Sequence, residues 1–140
     1  MAVERLDHVH IEVADRDQAA DWYERVLGLR RDPSLAVWAE HPTGPLLLST
    51  EAGMPVLSLF ARQCRAPSRD TTIAFRLSGA AFLGFLDQLP TLGLSHAKGH
   101  ALARGDVVDH ALSWSLYFVD PDGNRLEVTT YDHEAVARAL

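Results

Sequence analysis

LDHVHIEVADRDQAADWYERVLGL, residues 6–29, and TTIAFRLSGAAFLGFLDQLPTLGL, residues 71–94, decide the fold of this 140-residue chain, because the second nearly repeats the first. From His8 the first stretch alternates cleanly. Leu6, Val9, Ile11 and Val13 are its apolar set; Leu6 falls before the clean alternation, in which Val9, Ile11 and Val13 share one face and His8, His10 and Glu12 the other, the period of a half-buried strand. Asp15 then stands as an N-cap with Gln18 three residues on, a capping-box pattern. Ala19, Trp22, Tyr23, Val26 and Leu27 recur at helical spacing, and Gly28 suits the position just past the helix end. In the second stretch Ile73, Phe75 and Leu77 form one strand face, and Thr72, Ala74 and Arg76 the other. Phe82, Phe85, Leu86 and Leu89 mark a helix that Pro90 is expected to end. His8 aligns with Thr72, and the Leu-Gly-Leu triplets at 27–29 and 92–94 align to within one residue of the same register. Strand, helix and triplet recurring in order indicate an internal duplication.

Three strand-like stretches follow each helix. In the first half they are LAVWAE (35–40), PLLLST (45–50) and PVLSLFA (55–61); in the second they lie near 102–108, 113–119 and 125–131. Asp120-Pro121-Asp122-Gly123 places Asp, Pro and Gly where a type I turn wants them, so the last two strands form a hairpin. The expected architecture is α+β. Two βαβββ modules stand in tandem, at about 4–61 and 71–131, their mixed sheets curving into a cleft with the helices outside. Residues 62–70, RQCRAPSRD, read as the linker and 132–140 as a C-terminal helix.

With 47% hydrophobic and 23% charged residues, the chain has an ordinary globular composition and enough length to bury a core without a disulfide or metal. Its formal charge is −6, Lys98 is its single lysine, and no basic stripe appears, which argues against a general nucleic-acid role. Cys64 stands alone, so there is no intrachain disulfide framework. The opening residues lack a charged-then-apolar leader pattern and no apolar run approaches membrane-spanning length, so the expectation is a cytoplasmic protein without membrane contact.

Period-two sorting of SLYFVDPDGNRLEV, residues 115–128, points to a site. Leu116 and Phe118, with Trp114 before them, should pack on a helix, as should Leu126 and Val128. Ser113, Ser115, Tyr117, Arg125, Glu127 and Thr129 take the opposite face. Together with His8, His10 and Glu12 they bring two imidazoles, two carboxylates, a guanidinium and a phenol. Any one of these alone reads as a solvated strand residue. As a set they are too polar for a second core and suit a ligand site. Arg76 and Trp38 join them as candidate ligand-binding residues. No nucleophile-elbow, Walker or dinucleotide motif is present.

The pattern resembles the vicinal oxygen chelate superfamily, which includes glyoxalases, bleomycin-resistance proteins and extradiol dioxygenases. The resemblance rests on LDHVHIEVADRDQAADWYERVLGL and SWSLYFVDPDGNRLEV and on the paired modules. It implies a homodimer and a small-molecule substrate or ligand. It also implies a divalent metal (Fe, Mn, Zn or Ni) held by a histidine matching His8, a glutamate matching Glu127, and a second histidine. That second position here is Thr72, in TTIAF, and the carboxylate that some members add falls at Ser58. Two imidazoles and a carboxylate hold a divalent cation with open positions for a chelating substrate, whereas a threonine hydroxyl is a weak donor.

Two repairs to this set are open. His8 and His10 lie on one strand face about 6.5–7 Å apart, so His10 is an alternative third ligand. His96, His100 or His110 could also enter from the segment before residue 113. His110, in DHALSWSLYF, resembles a run of small ring-cleaving members in which Ala111 replaces a glycine, and there it reads as a pocket acid or base. The expected roles are therefore Tyr117, His110 and His10 as catalytic groups, Glu12, Arg76, Ser115, Arg125 and Trp38 as ligand-binding groups, and His8 and Glu127 as metal ligands. One functional reading is a metal-dependent dioxygenase or lyase acting on a small oxygenated, in one version aromatic, substrate. The alternative is a metal-free protein that binds or sequesters a small molecule, in which case no cofactor is needed.

Overall fold

The computed structural model describes residues 1–2, 4–62 and 71–140; most of the expected linker, Cys64 included, lies outside the described residues. The chain divides into two compact units, residues 1–65 and 66–140. In the first, β1 (Val9–Val13), α1 (Arg16–Leu27), β2 (Arg30–Arg31), β3 (Leu46–Ser49) and β4 (Pro55–Ala61) follow one another. In the second the order is β5 (Ile73–Arg76), α2 (Gly79–Leu92), β6 (Val108–Asp109), β7 (Trp114–Val119), β8 (Arg125–Thr130) and α3 (His133–Ala137). Each sheet has the same spatial order, β1-β4-β3-β2 and β5-β8-β7-β6. The first and last strands of each unit run parallel and the other neighbours antiparallel. This is the α+β fold of tandem βαβββ modules, in open mixed sheets.

Local chemistry sets the helix ends. Asp15 caps α1 by accepting the Gln18 N–H at 2.9 Å, and Ser78 caps α2 by accepting that of Ala81 at 3.3 Å. Gly28 and Gly93, the central residues of the two repeated triplets, close their helices at φ of +68° and +62°. Each helix then lies on one sheet face. Tyr23, Val13, Leu48, Leu57 and Leu59 are fully buried in the first unit; Phe82, Leu116, Leu126 and Val128 are in the second. Burying a side chain of this size stabilises by about 1.5–3 kcal/mol.

Three expectations change. LAVWAE is not a strand but part of a 3-10 helix, Pro33–Glu40. Pro33 fixes its own φ at the first helical position, and buried Asp32 caps it, accepting the Ser34 N–H at 2.9 Å and the Ser34 hydroxyl at 2.6 Å. The second oxygen of Asp32 accepts the Ser49 hydroxyl at 2.5 Å and ties the cap to β3. The strand that follows α1 is instead the Arg30–Arg31 pair. Residues 102–108 likewise hold a 3-10 turn, Arg104–Asp106, because the Asp106 carboxylate turns back to accept the Ala103 N–H at 2.8 Å; the strand begins only at Val108. Pro90 does not end α2. It sits in the last turns, and buried Leu89 and Leu92 carry the helix on to Gly93.

The turn after β7 is as expected. The Gly123 N–H donates to the Asp120 carbonyl at 3.0 Å, and the Asp120 carboxylate gathers the N–H groups of Asp122 and Asn124 at 3.0 and 2.8 Å. The C-terminal helix is the shorter α3. Asp132, just before it, accepts the Gly79 N–H at 2.6 Å and so joins the start of α2 to the start of α3. A Cβ on Gly79 would meet Asp132 Cβ at 2.9 Å and Val136 Cγ2 at 3.3 Å. Gly79→Ala is therefore expected to destabilise the protein by about 1–3 kcal/mol, read as a lower urea midpoint with an unchanged slope.

Candidate functional site

The parallel pairing places the candidate residues within each sheet. In the first unit His10 pairs with Ser58 and Glu12 with Phe60. The His10 ring is exposed and lies 4.1 Å from the Phe60 ring. Arg62 sits 4.8 Å over that same ring and 3.7 Å from Glu12. His8 precedes β1 by one residue, and its Nδ1 is 2.7 Å from the Asp7 carboxylate. Ser58 is buried at 2% exposure, and Trp38, on the 3-10 helix, is exposed.

In the second unit Ala74 pairs with Glu127 exactly as far along its strand as His10 with Ser58, so Ser58 and Glu127 hold equivalent sheet positions. Across the antiparallel ladder Tyr117 faces Glu127 and Ser115 faces Thr129. The Ser115 hydroxyl, itself buried, lies 2.7 Å from Glu127 Oε1 and 3.0 Å from the Thr129 hydroxyl. Thr129 lies within reach of the Trp114 carbonyl, at 3.2 Å. On the other side of Tyr117, His110 Nε2 lies 3.0 Å from the phenol oxygen with the two rings edge to face. His110, Tyr117, Glu127, Ser115 and Thr129 thus form a continuous polar run across one sheet face, opposite the face that Leu116, Phe118, Leu126 and Val128 turn to α2. Burial first, and then the Glu127 carboxylate, push the Tyr117 phenol above its ordinary pKa, so it stays protonated and able to donate. Arg76 lies over the Tyr131 ring at 5.2 Å, Arg125 pairs with Val119, and Thr72 is half-buried just before β5.

His110 owes its place to a two-residue hairpin turn, Ala111-Leu112, between β6 and β7. The His110 N–H closes it on the Ser113 carbonyl at 2.9 Å. Ala111 has φ of +67° at the first central position, where glycine is the usual residue, at a cost of about 1–2 kcal/mol. The Ala111 N–H donates to Asp109 Oδ1 at 2.7 Å, a local side-chain turn that offsets the strain. The same carboxylate oxygen lies 2.7 Å from His133 Nε2. Sequence reading passed over Asp109 and His133. An Asp two residues before a turn position is a recognisable signal for the first, but nothing in the sequence marks His133. His96 and His100, candidates for a third ligand, stack on each other at 4.8 Å, and His100 Nε2 lies 3.1 Å from Asp106 Oδ1.

Two surface clefts lie apart from this run. One, of about 530 Å³, is lined by residues that include Leu112, Tyr131, His133 and Arg138; the other, of about 480 Å³, by residues that include Arg30, Arg31, Asp32 and Thr50.

Tandem βαβββ units with open mixed sheets are the architecture of the class described above as a resemblance. The sequence profile of the glyoxalase/bleomycin resistance protein/dioxygenase superfamily matches residues 7–118, and the chain belongs to that superfamily. Among solved structures it is similar to a glyoxalase/dioxygenase from Nostoc punctiforme, at 21% identity and a TM-score of 0.67 over 91% of each chain. It is also similar to the oxidase ChaP-H1, at 24% identity and a TM-score of 0.66, over 94% of this chain and 98% of that one. A virulence protein from Salmonella typhimurium matches at 20% identity and a TM-score of 0.61, over 94% and 99%. At these identities the likeness is one of fold. No curated protein matches the sequence.

The donor set does not fit the divalent metal that the superfamily often uses. Among the described residues no group of three or more His, Cys, Asp or Glu side chains comes together to hold an ion. Thr72 offers a neutral hydroxyl where a histidine is needed, and Ser58, at the position equivalent to Glu127, is a second neutral hydroxyl. Glu127 has its own partner in Ser115.

Glu127→Gln removes the negative charge beside Tyr117 and is expected to lower the phenol pKa toward its ordinary value, though burial keeps it from falling all the way. Absorbance titration with Tyr117→Phe as the blank reads this directly. Because the folded phenol resists ionisation and the unfolded one does not, the wild type loses stability as pH rises past about 10, and Glu127→Gln loses less.

Proposed function

We propose that this chain binds a small oxygenated molecule, aromatic ones among the candidates, against the polar face of the second unit's sheet. There His110, Tyr117 and Glu127 handle its protons without a resident metal. The observation that carries this reading is the 3.0 Å approach of His110 Nε2 to the Tyr117 oxygen, on a strand whose register sets Tyr117 opposite Glu127. Tyr117, kept neutral, donates to an oxygen on which negative charge develops. His110 replaces the proton that Tyr117 gives up, passing it from Nε2 while its exposed ring takes one from solvent at Nδ1. Glu127 accepts the proton that the ligand releases, and the Ser115 hydroxyl holds that carboxylate in place. Where the ligand has no labile proton, the same groups bind it through hydrogen bonds alone, and the protein sequesters it.

A second reading keeps a divalent metal on His8 and Glu127, with His10 as third ligand. It is favoured by the presence of both residues at the positions where metal-dependent members carry theirs.

A thermal-shift screen of catechols, hydroxyquinones and hydroxyketones, run with and without chelator, separates the two. Shifts that persist in chelator and weaken in Tyr117→Phe and Glu127→Gln are expected, each substitution costing about 1–2 kcal/mol, near tenfold in affinity. Stoichiometric metal in protein produced with Fe, Mn, Zn and Ni supplied, together with binding abolished by chelator, would overturn the metal-free reading in favour of the second.

A further inference from the structure

The turn that carries His110 is braced more heavily than a two-residue hairpin requires. Asp109 Oδ1 lies 2.7 Å from the Ala111 N–H donor and 2.7 Å from His133 Nε2, so one oxygen links the turn to the first residue of α3. The His133 ring lies flat on the Trp114 indole, 5.0 Å between centroids and 6° between planes. Trp114 Nε1 in turn donates to the His133 carbonyl at 3.0 Å. Asp109 and Trp114 are register partners across β6 and β7, so this closed ring of contacts grips the hairpin just behind its tip.

His110 sits between the two residues that the carboxylate fixes, Asp109 and Ala111. Its own imidazole is exposed, and an exposed side chain on a turn ordinarily exchanges among rotamers on a fast timescale. Here its Nε2 lies 3.0 Å from the Tyr117 oxygen. The positive φ at Ala111 directs the chain so that the His110 ring returns over β7, and the Asp109 bond to the Ala111 N–H helps hold that conformation.

From this geometry we infer that Asp109 and His133 are positioning residues, forming a latch between the β6–β7 turn and α3 that aims His110 at Tyr117. The inference deepens, and rests on, the reading of His110, Tyr117 and Glu127 as the proton-handling groups; neither latch residue belongs to that set. The donors on Asp109, His133 foremost and then the Ala111 N–H, hold its carboxyl below the usual range, consistent with an acceptor that stays ionised in service.

The test is ¹⁵N NMR of the histidine rings in full-length protein labelled at histidine, with the His110 Nε2 signal assigned by its loss in His110→Ala. Tyr117→Phe sets the position of that signal without its phenol partner. Asp109→Ala removes the acceptor. His133→Phe keeps the ring on Trp114 but removes the donor, and it carries the test if Asp109→Ala fails to fold. Asp109→Asn keeps an oxygen able to accept both bonds. The expected result is that Asp109→Ala and His133→Phe move the His110 signal toward its position in Tyr117→Phe, while Asp109→Asn stays near the wild type. The latch is overturned if the signal is unmoved in both of the first two, or if Asp109→Asn is displaced as far as Asp109→Ala. No substrate enters this measurement. If Tyr117→Phe binds catechol as well as the wild type does, the proton-handling reading fails, while the NMR result decides the latch separately.

Discussion

The parallel pairing of the first strand of each unit with its last strand is the constraint on which the rest depends. Parallel neighbours cannot be joined by a hairpin, so the chain must cross over, and α1 and α2 begin that crossover. Once β5 lies beside β8, the apolar face of both strands has to meet α2. Leu126 and Val128 satisfy that demand, and the period of two then sends Glu127 to the opposite side. The carboxylate between two buried aliphatic residues follows directly from register. A one-residue slip would bury it and expose Leu126 and Val128, which is why the pairing holds so firmly.

The same pairing is made twice, and the two copies have diverged on the face away from the helix. In the second unit the positions hold Glu127, Tyr117, Ser115 and Thr129, joined in one hydrogen-bonded run. In the first unit the equivalent of Glu127 is the buried Ser58, flanked in register by His10 and Leu47. Duplication supplies two frameworks of the same strand order, and the hydrogen-bonded run lies on the second. A threonine aligned with His8 and a serine aligned with Glu127 are the residue-level record of that asymmetry.

Much of this was legible in the sequence, for reasons that can be named. Strand faces, helix caps and the duplicated Leu-Gly-Leu triplets follow from local rules that act within a few residues, so β1, α1, α2, β7 and β8 could be read directly. The polar face of β7 and β8 came from the same alternation. What escaped was decided by contacts distant in sequence. LAVWAE has the composition of a strand, yet Asp32 and Pro33 wind it into a 3-10 helix, with Asp32 held by Ser49 from another strand. Pro90 reads as a stop, yet buried leucines on either side extend the helix past it. Asp109 and His133 stand 24 residues apart, and no periodicity joins them.

A metal site and a hydrogen-bonded run make different geometric demands on such a sheet. A resident metal demands that several donors converge on one point within tenths of an ångström, so exchanging a single histidine for threonine removes most of the advantage of those left behind. A run of hydrogen-bonding side chains needs far less. Residues opposite each other on an antiparallel pair already stand about 4.5–5.5 Å apart at Cβ, so the ladder itself brings Tyr117 to Glu127 and Ser115 to Thr129. Only the member outside the ladder, His110, needs separate placement. That is the position at which the structure tolerates an alanine in a glycine conformation and anchors the turn to α3 through a carboxylate. Bracing is concentrated where the sheet cannot supply it, as expected if the imidazole at the end of the run matters to what this face does.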